Sequence, residues 1–290
     1  MKESDFMNSN VNTLETRIRD NADATERTLS HIMEGRDGDL QRIFDAQSYS
    51  LLGGGKRIRP FLVNEFCRAL GGDPMVSMPY ACALEMIHTY SLIHDDLPCM
   101  DNDDFRRGKP SCHKKFGEAM ALLAGDALLN TAHELMAMES NTPGEIRAMR
   151  HIAKSAGVHG MINGQVRDIK LLEDDNPDEN KLIALIEQKT MALIMTAVVS
   201  AAYIAEADEK TISDLEDFVY NLGIAFQIRD DFEDEDEDKQ KEHNSPNFIN
   251  ILGRDAAADR MRYHELQARE IISKYKNNEF IIGIIDYLFS

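Results

Sequence analysis

Two aspartate-rich runs are the parts of the chain most suited to chemistry. HDDLPCMDNDDFRRGK, residues 94–109, holds five aspartates and then Arg106, Arg107 and Lys109, and IRDDFEDEDED, residues 228–238, also contains an early Asp-Asp pair. Carboxylates bind divalent cations, and guanidinium and ammonium groups bind phosphate oxygens. The first hypothesis is therefore a site for metal ions and a phosphorylated ligand. The alternative is that each run is a solvated acidic loop.

The first run is predicted to close an amphipathic helix. Asp95 and Asp96 lie at its carboxyl end, because the residue before Pro98 is disfavoured in the α region. Carboxylates at a helix C-terminus oppose the helix dipole, so this placement favours a bound cation. A calcium loop of the EF-hand kind starting at Asp101 is excluded, since its sixth position would be Arg106 instead of glycine. Magnesium fits better, because it takes one or two carboxylates and completes its octahedron with water and phosphate oxygens.

The second run and a glycine-rich turn extend the same hypothesis. Asp230 and Asp234 are four residues apart, so on a continuing helix they share a face, with Asp231 beside them. Two aspartate pairs that each end a helix suit several Mg²⁺ ions clamping one diphosphate. GGGKRIRP, residues 53–60, lacks the P-loop spacing, and an ordinary basic turn is its alternative. It presents three cations, Lys56, Arg57 and Arg59.

Helices must position these groups. Apolar residues recur at three- and four-residue spacing, as in residues 116–138, and alternating strand patterns are hard to find. Clusters of Gly, Pro and charge interrupt the periodicity, for example at 52–60, 70–79 and 97–113. The segment 189–205 is apolar nearly all round, which predicts a central helix packed on every side. We therefore predict an all-α fold of many helices, in one domain covering residues 1–290.

Composition excludes several classes of protein. A formal net charge of -19 over 290 residues repels nucleic acid and anionic membranes. The four cysteines show no Cys-x-x-Cys spacing, which favours reduced thiols and no zinc site. The N-terminus lacks the basic start and apolar run of a signal peptide, and no segment has the roughly 20 apolar residues of a membrane span. We expect a soluble, cytoplasmic protein that does not bind nucleic acid.

Taken together, these residues resemble the trans-isoprenyl diphosphate synthases, most closely the bacterial-type farnesyl diphosphate synthases and their geranylgeranyl relatives. The likeness runs from about residue 50 to 255. A single Asp-Asp-x-x-Asp is weak, because terpene cyclases also carry one, but the whole set in order is specific. The set is GGKRIRP, EMIHTYSLIHDDLPCMDNDDFRRGKPSCHKKFGEA, GQVRDI, KTMALI and FQIRDDFED.

The resemblance implies a multi-helix bundle around a central active-site cavity, and it implies roles for particular residues. Magnesium, as three ions, would be bound by two motifs: Asp95, Asp96 and Asp101 in the first, and Asp230, Asp231 and Asp234 in the second. The pocket for isopentenyl diphosphate would be formed by Lys56, Arg59, His88 and Arg107. The allylic diphosphate would contact Arg106, Lys189, Thr190 and Gln227. The catalytic set would be Asp95, Asp96, Asp101, Arg106, Lys189 and Asp230, and the family usually forms homodimers.

The implied reaction is ionisation of the allylic diphosphate followed by condensation with isopentenyl diphosphate. In the family the residues four and five before the first motif, here Ser91 and Tyr90, lie beneath the growing chain. The bulk of Tyr90 predicts a fifteen-carbon product, farnesyl diphosphate, with a twenty-carbon product as the alternative.

Two departures from the family keep a second alternative open. After Asp234, Asn244 or Ser245 takes the place of an expected lysine, and the chain ends at IIDYLFS without the usual basic tail. A catalytically weak relative that regulates an active synthase is therefore the rival. A helical magnesium-binding or scaffold protein is a further rival from another class.

Overall fold

The computed structural model describes residues 3–34, 38–172, 178–189, 191–233, 247–275 and 278–289. Its secondary structure is helical apart from one two-stranded pair within these ranges, which confirms the all-α prediction. Before this pair, the helices are α1 Glu3–Ile32, a 3₁₀ turn Gly38–Leu40, α2 Gln41–Leu51, α3 Ile58–Ala69 and α4 Pro74–Asp95. After it come α5 Cys112–Phe116, α6 Glu118–Glu139, α7 Pro143–Ala156, α8 Met161–Leu172, α9 Glu179–Lys189, α10 Ala192–Ile204, α11 Glu209–Glu233, α12 Phe248–Leu252, α13 Arg254–Ser273 and α14 Glu279–Phe289.

The strand pair lies inside the break expected at 97–113. Strands β1 (Phe105–Arg106) and β2 (Lys109–Pro110) are antiparallel, and Arg106 lies opposite Lys109. The turn between them places Arg107 in the left-handed region at φ 52. The sequence reading did not anticipate this hairpin, because two residues a side are too short for an alternating pattern.

Helix α4 carries the first aspartate run and has clear signals at both ends. Asp73 caps it, because its side chain accepts the Met75 N–H at 2.9 Å, and Pro74 occupies the first turn. The break expected at 70–79 is therefore too long, since Pro79 lies inside the helix. The helix ends at Asp95 with Asp96 as its C-cap, as Pro98 predicts.

The described residues form two compact units. The first lies within Glu15–Arg150 and Tyr203–Ala205, and the second within Met1–Leu14, His151–Ala202 and Glu206–Ser290. In the first unit α4 packs against α3 and α6, and its residues 80–87 are all buried. The single domain expected from the sequence stays a prediction.

In the second unit α11 packs along α13, and α8 packs along α9. Helix α10 is buried continuously from Thr196 to Ala202, which confirms the prediction of an enclosed helix, although it begins at Ala192 rather than at 189. A cluster of buried side chains joins α9, α11, α12 and α13 to the residue that precedes α10. Its members are Leu182, Ile186, Met191, Ile224, Ile228, Phe248 and Ala257.

None of the described helices is by itself long and apolar enough to cross a membrane. Residues 179–188 and 192–204 pass that test only as a pair, which is bent by 52°.

Candidate functional site

The first aspartate run surrounds the end of α4. Asp95 is half-buried, Asp96 is 2% exposed, and Asp101 is exposed in the following loop. The loop folds back on the helix, since the Asp101 N–H donates to the Asp95 carbonyl at 2.9 Å. The three predicted metal ligands of the first motif therefore lie on one short turn.

A cation on the hairpin pairs with the buried aspartate. Arg106 Nε donates to Asp96 Oδ1 at 2.7 Å, and Arg106 Nη2 lies 2.6 Å from the same oxygen. Arg106 also lies 3.3 Å from Asp103 Oδ2. The hydrogen bond to Asp96 raises the pKa of Arg106, whereas burial raises the pKa of Asp96 against the influence of Arg106. The opening pattern of aspartates followed by arginine thus forms an ion pair around the end of α4.

The glycine-rich turn contains one structural arginine. Arg57, predicted to be presented with its neighbours, is instead 2% exposed. Its Nη1 donates to Glu85 Oε1 at 2.6 Å, its Nη2 donates to Glu26 Oε1 at 2.7 Å, and it also bonds the Leu51 carbonyl. Burial alone would lower the pKa of Arg57, but the two carboxylates outweigh it and raise the pKa. Arg57 is therefore a buried anchor of the turn.

Arg59 has a different environment from Arg57. It is half-buried, and its buried Nε has no hydrogen-bond partner. Burial lowers the pKa of Arg59; the nearby Glu85 carboxylate acts against this shift, and the charge of Arg107 adds to it. A desolvated guanidinium beside a second cation favours an additional anion, because burying net positive charge is costly.

Arg107 and His88 complete a cationic cluster with Arg59. Arg107 donates to the Gly54 carbonyl, and a Cβ on Gly55 would lie 3.2 Å from its guanidinium carbon. Gly55, at φ 132, lets the arginine lie flat against the turn. Burial lowers the pKa of His88 to about 2, and the charges of Arg59 and Arg107 add to the effect. His88 is therefore neutral beside two cations.

Other predicted residues of this unit lie on α4 or at the turn. Lys56 is exposed. Tyr90 is 6% exposed, with its ring edge-on to His94 at a centroid distance of 5.7 Å. The Ser91 hydroxyl donates to the His88 carbonyl at 2.9 Å. The role of Tyr90 and Ser91 in product length stays a prediction.

The second aspartate run lies at the carboxyl end of α11. Asp230 is half-buried, and Asp231 is 7% exposed. Asp231 Oδ1 accepts from Gln227 Nε2 at 3.1 Å, and its Oδ2 accepts the Phe248 N–H at 2.8 Å. Gln227, a predicted substrate contact, is thus linked directly to a predicted metal ligand.

Three predictions fall at the edge of the described residues. Lys189 is the last residue of α9, but its side chain is outside the described residues. Thr190 and Asp234 lie wholly outside them. Their roles, and that of the altered sequence after Asp234, stay predictions.

The donor chemistry suits magnesium. All ligands assigned by the motifs are carboxylates, which are the hard oxygen donors that Mg²⁺ prefers. Among the residues described here, no group of three or more His, Cys, Asp or Glu side chains is gathered as a metal site. Magnesium needs only one or two carboxylates when phosphate oxygens and water complete its shell, so the aspartates fit a site finished by substrate.

Sequence reasoning missed the residues that hold the charged groups in place. Glu26 and Glu85 neutralise Arg57, and Phe248 supplies the N–H for Asp231. Glu85 gave one usable signal, since an acid in the apolar run ALEMIH of a buried helix needs a cationic partner. Nothing in the local sequence indicated Glu26 or Phe248.

The helical fold has counterparts among known proteins. A solved structure from Zymomonas mobilis, described as an FPP/GFPP synthase in its apo form, matches with a TM-score of 0.89. It is 30% identical in sequence, and the match covers 97% of this chain and 100% of that chain. The class defined by the fold is therefore the all-α polyprenyl synthase.

The sequence comparisons give the family. The farnesyl diphosphate synthase of Geobacillus stearothermophilus is 40% identical over 271 residues, which are 87% of this chain and 89% of that protein. A chloroplastic geranylgeranyl pyrophosphate synthase of Arabidopsis thaliana, number 11, is 42% identical over 245 residues, 81% of this chain and 67% of that protein. The polyprenyl synthetase family model matches residues 41–261. The chain belongs to the polyprenyl synthetase family, and the resemblance inferred from the motifs is confirmed.

Proposed function

We propose that the chain is a magnesium-dependent prenyltransferase that joins isopentenyl diphosphate to geranyl diphosphate, or twice in succession starting from dimethylallyl diphosphate, and releases farnesyl diphosphate. The observation that carries this proposal is the cationic cluster of Arg59, Arg107 and neutral His88. Burial and repulsion from neighbouring arginines lower the pKa values of Arg59 and Arg107 although Glu85 acts against this, so a diphosphate bound here would stabilise both cations. The cluster is the site for isopentenyl diphosphate in this proposal.

The chain's own residues bind, orient and shield the reactants. Arg106, held by Asp96, faces the allylic diphosphate, and Lys189, Thr190 and Gln227 contact it from the other motifs. When bound, Mg²⁺ supplies positive charge to the diphosphate that departs. Asp95, Asp101, Asp230 and Asp234 are the proposed metal residues, and we propose three ions. Asp96 and Asp231, to which the resemblance also gives a metal role, are buried and are assigned positioning roles toward Arg106 and Gln227.

The chemical step needs no protein nucleophile. The allylic carbon–oxygen bond breaks, and its electron pair leaves with the pyrophosphate. The double bond of isopentenyl diphosphate then forms the new carbon–carbon bond to the allylic cation, and the proton lost from the adduct passes to the pyrophosphate. Fixed cations stabilise the negative charge that develops on the leaving group, and exclusion of water protects the cation from quenching.

Product length is the finer part of the proposal. Tyr90, buried on α4 five residues before the first aspartate, limits the chain to fifteen carbons. A twenty-carbon product is the second candidate, because several of the similar proteins are named geranylgeranyl pyrophosphate synthases. A homodimer in the cytoplasm, made of one domain per chain, completes the proposal.

Mass spectrometry of the products tests the function. The protein is incubated with Mg²⁺, isopentenyl diphosphate and either dimethylallyl or geranyl diphosphate. We expect a fifteen-carbon diphosphate that disappears when EDTA is added. Folded protein that forms no condensation product would contradict the proposal and favour the regulatory relative.

The same assay on Tyr90→Ala tests the fifteen-carbon limit. The smaller side chain should shift the product toward twenty carbons or longer. The control is Met75→Ala, which shortens an exposed side chain in the first turn of α4 and should leave the product length unchanged. A twenty-carbon product from the unmodified protein would retain the chemistry and discard the role of Tyr90.

A further inference from the structure

The Asp231 carboxylate joins two helices. It lies near the carboxyl end of α11 and uses both oxygens, Oδ1 for the Gln227 side-chain amide and Oδ2 for the backbone N–H of Phe248. Phe248 is 17 residues further along the chain and is the first residue of α12. A single side chain therefore fixes a substrate-contact residue and the start of another helix.

The contact completes the cap of α12. The first N–H groups of a helix have no partner within the helix. Asn247 accepts the Asn250 N–H at 2.8 Å through its side chain, and Asp231 accepts the N–H of Phe248. Because a carboxylate also interacts favourably with a helix N-terminus, the charged form of Asp231 strengthens this cap.

Burial makes the contact a fixed part of the second unit. The Phe248 ring is fully buried in the cluster that contains Ile224 and Ile228 of α11, on either side of Gln227 in the sequence. Met191, the residue after Thr190, belongs to the same cluster, and a Cβ on Gly223 would lie 2.6 Å from its methyl group. A small shift of α12 would therefore disturb the packing of Met191, which follows Thr190 in the sequence, and of α11, which carries Gln227.

Asp231 and Asp230 differ in how accessible their carboxylates are to a hydrated ion. Magnesium keeps several waters, so a ligand for it has to face a space that holds a hydrated ion. Asp231 is 7% exposed, and each of its oxygens already accepts a hydrogen bond. Asp230, one residue earlier, is half-buried and is the more accessible of the two.

We infer that Asp231 is a positioning residue, which orients Gln227 and anchors the start of α12, rather than a direct ligand of magnesium. The catalytic consequence rests on the proposed function, whereas the anchoring contact does not. Asp231 serves both donors because an ionised carboxylate is an acceptor at both oxygens.

Asparagine and alanine at this position separate the two roles. In Asp231→Asn the remaining oxygen accepts the Phe248 N–H, and the new amide donates to the Gln227 carbonyl oxygen after a flip of that side chain. Asp231→Ala removes both contacts. Asp230→Asn tests the neighbouring carboxylate, and Asp217→Asn, on an exposed part of α11, is the matched control.

Hydrogen exchange at the Phe248 amide measures the hydrogen bond to Asp231 without any substrate. We expect Asp231→Ala to speed exchange there by about 10- to 100-fold, because a hydrogen bond to a charged acceptor is lost. Asp231→Asn and Asp217→Asn should stay close to the unmodified protein. Unchanged exchange in Asp231→Ala would overturn the anchor, whether or not the protein makes prenyl diphosphates.

Steady-state kinetics measure the effect of Asp231 on catalysis. Asp231→Ala should lower kcat by about 10- to 100-fold and raise KM for the allylic diphosphate, with little change in KM for isopentenyl diphosphate. Asp231→Asn should remain within about fivefold of the unmodified enzyme.

The magnesium concentration at half-maximal rate decides between positioning and direct ligation. It should rise in Asp230→Asn and stay unchanged in Asp231→Asn. An equal rise in both variants would overturn the inference and make Asp231 a ligand. Because asparagine has the shape of aspartate, this comparison stands even where the alanine variant folds poorly. Absence of product from the unmodified protein would instead contradict the proposed function and leave the exchange result to decide the anchor.

Discussion

The two aspartate regions share a sequence pattern but differ in the partner of the buried aspartate. In the first, Asp96 is buried and pairs with the Arg106 guanidinium on the hairpin. In the second, Asp231 is buried and accepts from uncharged donors, a backbone N–H and an amide. In each pair the preceding residue, Asp95 or Asp230, is the more exposed of the two.

The difference shows that the two carboxylates of an Asp-Asp pair at a helix end can have different roles. The more exposed carboxylate is partly accessible to solvent, and the buried one supports a neighbouring group. In the first region that group is itself charged and is a predicted substrate contact, so function there should depend on charge. In the second region the two groups seen to donate to Asp231 are neutral, so function there should depend more on shape.

Neutralising Asp95 should give the largest effect. Asp95→Asn keeps the shape of the side chain and removes its charge, and we expect kcat to fall by about 10³-fold, since one electrostatic stabiliser of a transition state contributes that much. Asp231→Asn, which removes the charge of the buried aspartate in the second region, should cost far less. Steady-state rates at saturating Mg²⁺ make the comparison.

The control for Asp95 is Asp104→Asn in the same loop. Asp104 forms an exposed ion pair with Lys114 at 2.6 Å, and such pairs contribute little. Its turnover should remain close to that of the unmodified enzyme. Turnover of Asp95→Asn equal to that of Asp104→Asn would contradict the metal role of Asp95 and remove the contrast between the regions.

The two arginines of the glycine-rich turn should differ in role: Arg57 should contribute to stability, and Arg59 should contribute to substrate binding. Arg57→Gln leaves the buried Glu85 without its ion-pair partner, which should lower the free energy of unfolding by about 3 kcal/mol. Arg59→Gln removes a cation whose Nε has no partner, so stability should not fall, while KM for isopentenyl diphosphate should rise about 10- to 100-fold. Urea unfolding and initial rates measure the two effects.

The double variant Arg57→Gln/Glu85→Gln is the internal check. Removing the buried charge together with its partner should restore part of the lost stability, since the cost comes from an unpaired carboxylate. Loss of stability in Arg59→Gln as large as in Arg57→Gln would show that the cluster is structural, and would weaken the case for a diphosphate site.

Local sequence predicted the first region well. Pro98 set the end of α4, and the glycine-rich turn with its basic residues was placed correctly between α2 and α3. The burial of Arg57 could not be predicted, because it depends on Glu26 and Glu85, 31 and 28 residues away in the sequence. The second partner of Asp231 is likewise 17 residues away. Periodicity and helix-end rules describe neighbours within a few residues, whereas these partners meet only when helices pack.

The smallest expected effect is the pH dependence contributed by His88. Its pKa is about 2 in the folded protein against 6.5 ordinarily, so between these values the unfolded chain binds the additional proton. The free energy of unfolding should therefore be highest above pH 6.5 and fall as the pH drops below it, by about 2 kcal/mol at pH 5 from this group. Urea unfolding at pH 7 and pH 5 should show a smaller loss in His88→Asn than in the unmodified protein.

The same measurement on a second histidine, His264, compares the pH dependence that each of the two units contributes. Burial also lowers the pKa of His264, to about 4, so its contribution has the same sign over the same pH range. His264 lies in the second unit and bonds Asn221 at 2.8 Å, whereas the arginines of the cationic cluster surround His88. Pyrophosphate bound to that cluster would offset its positive charge and raise the pKa of His88, so it should flatten the pH dependence that His88→Asn removes. It should leave the part removed by His264→Asn unchanged, and equal flattening of both contributions would mean that the anion does not bind at the cluster around His88.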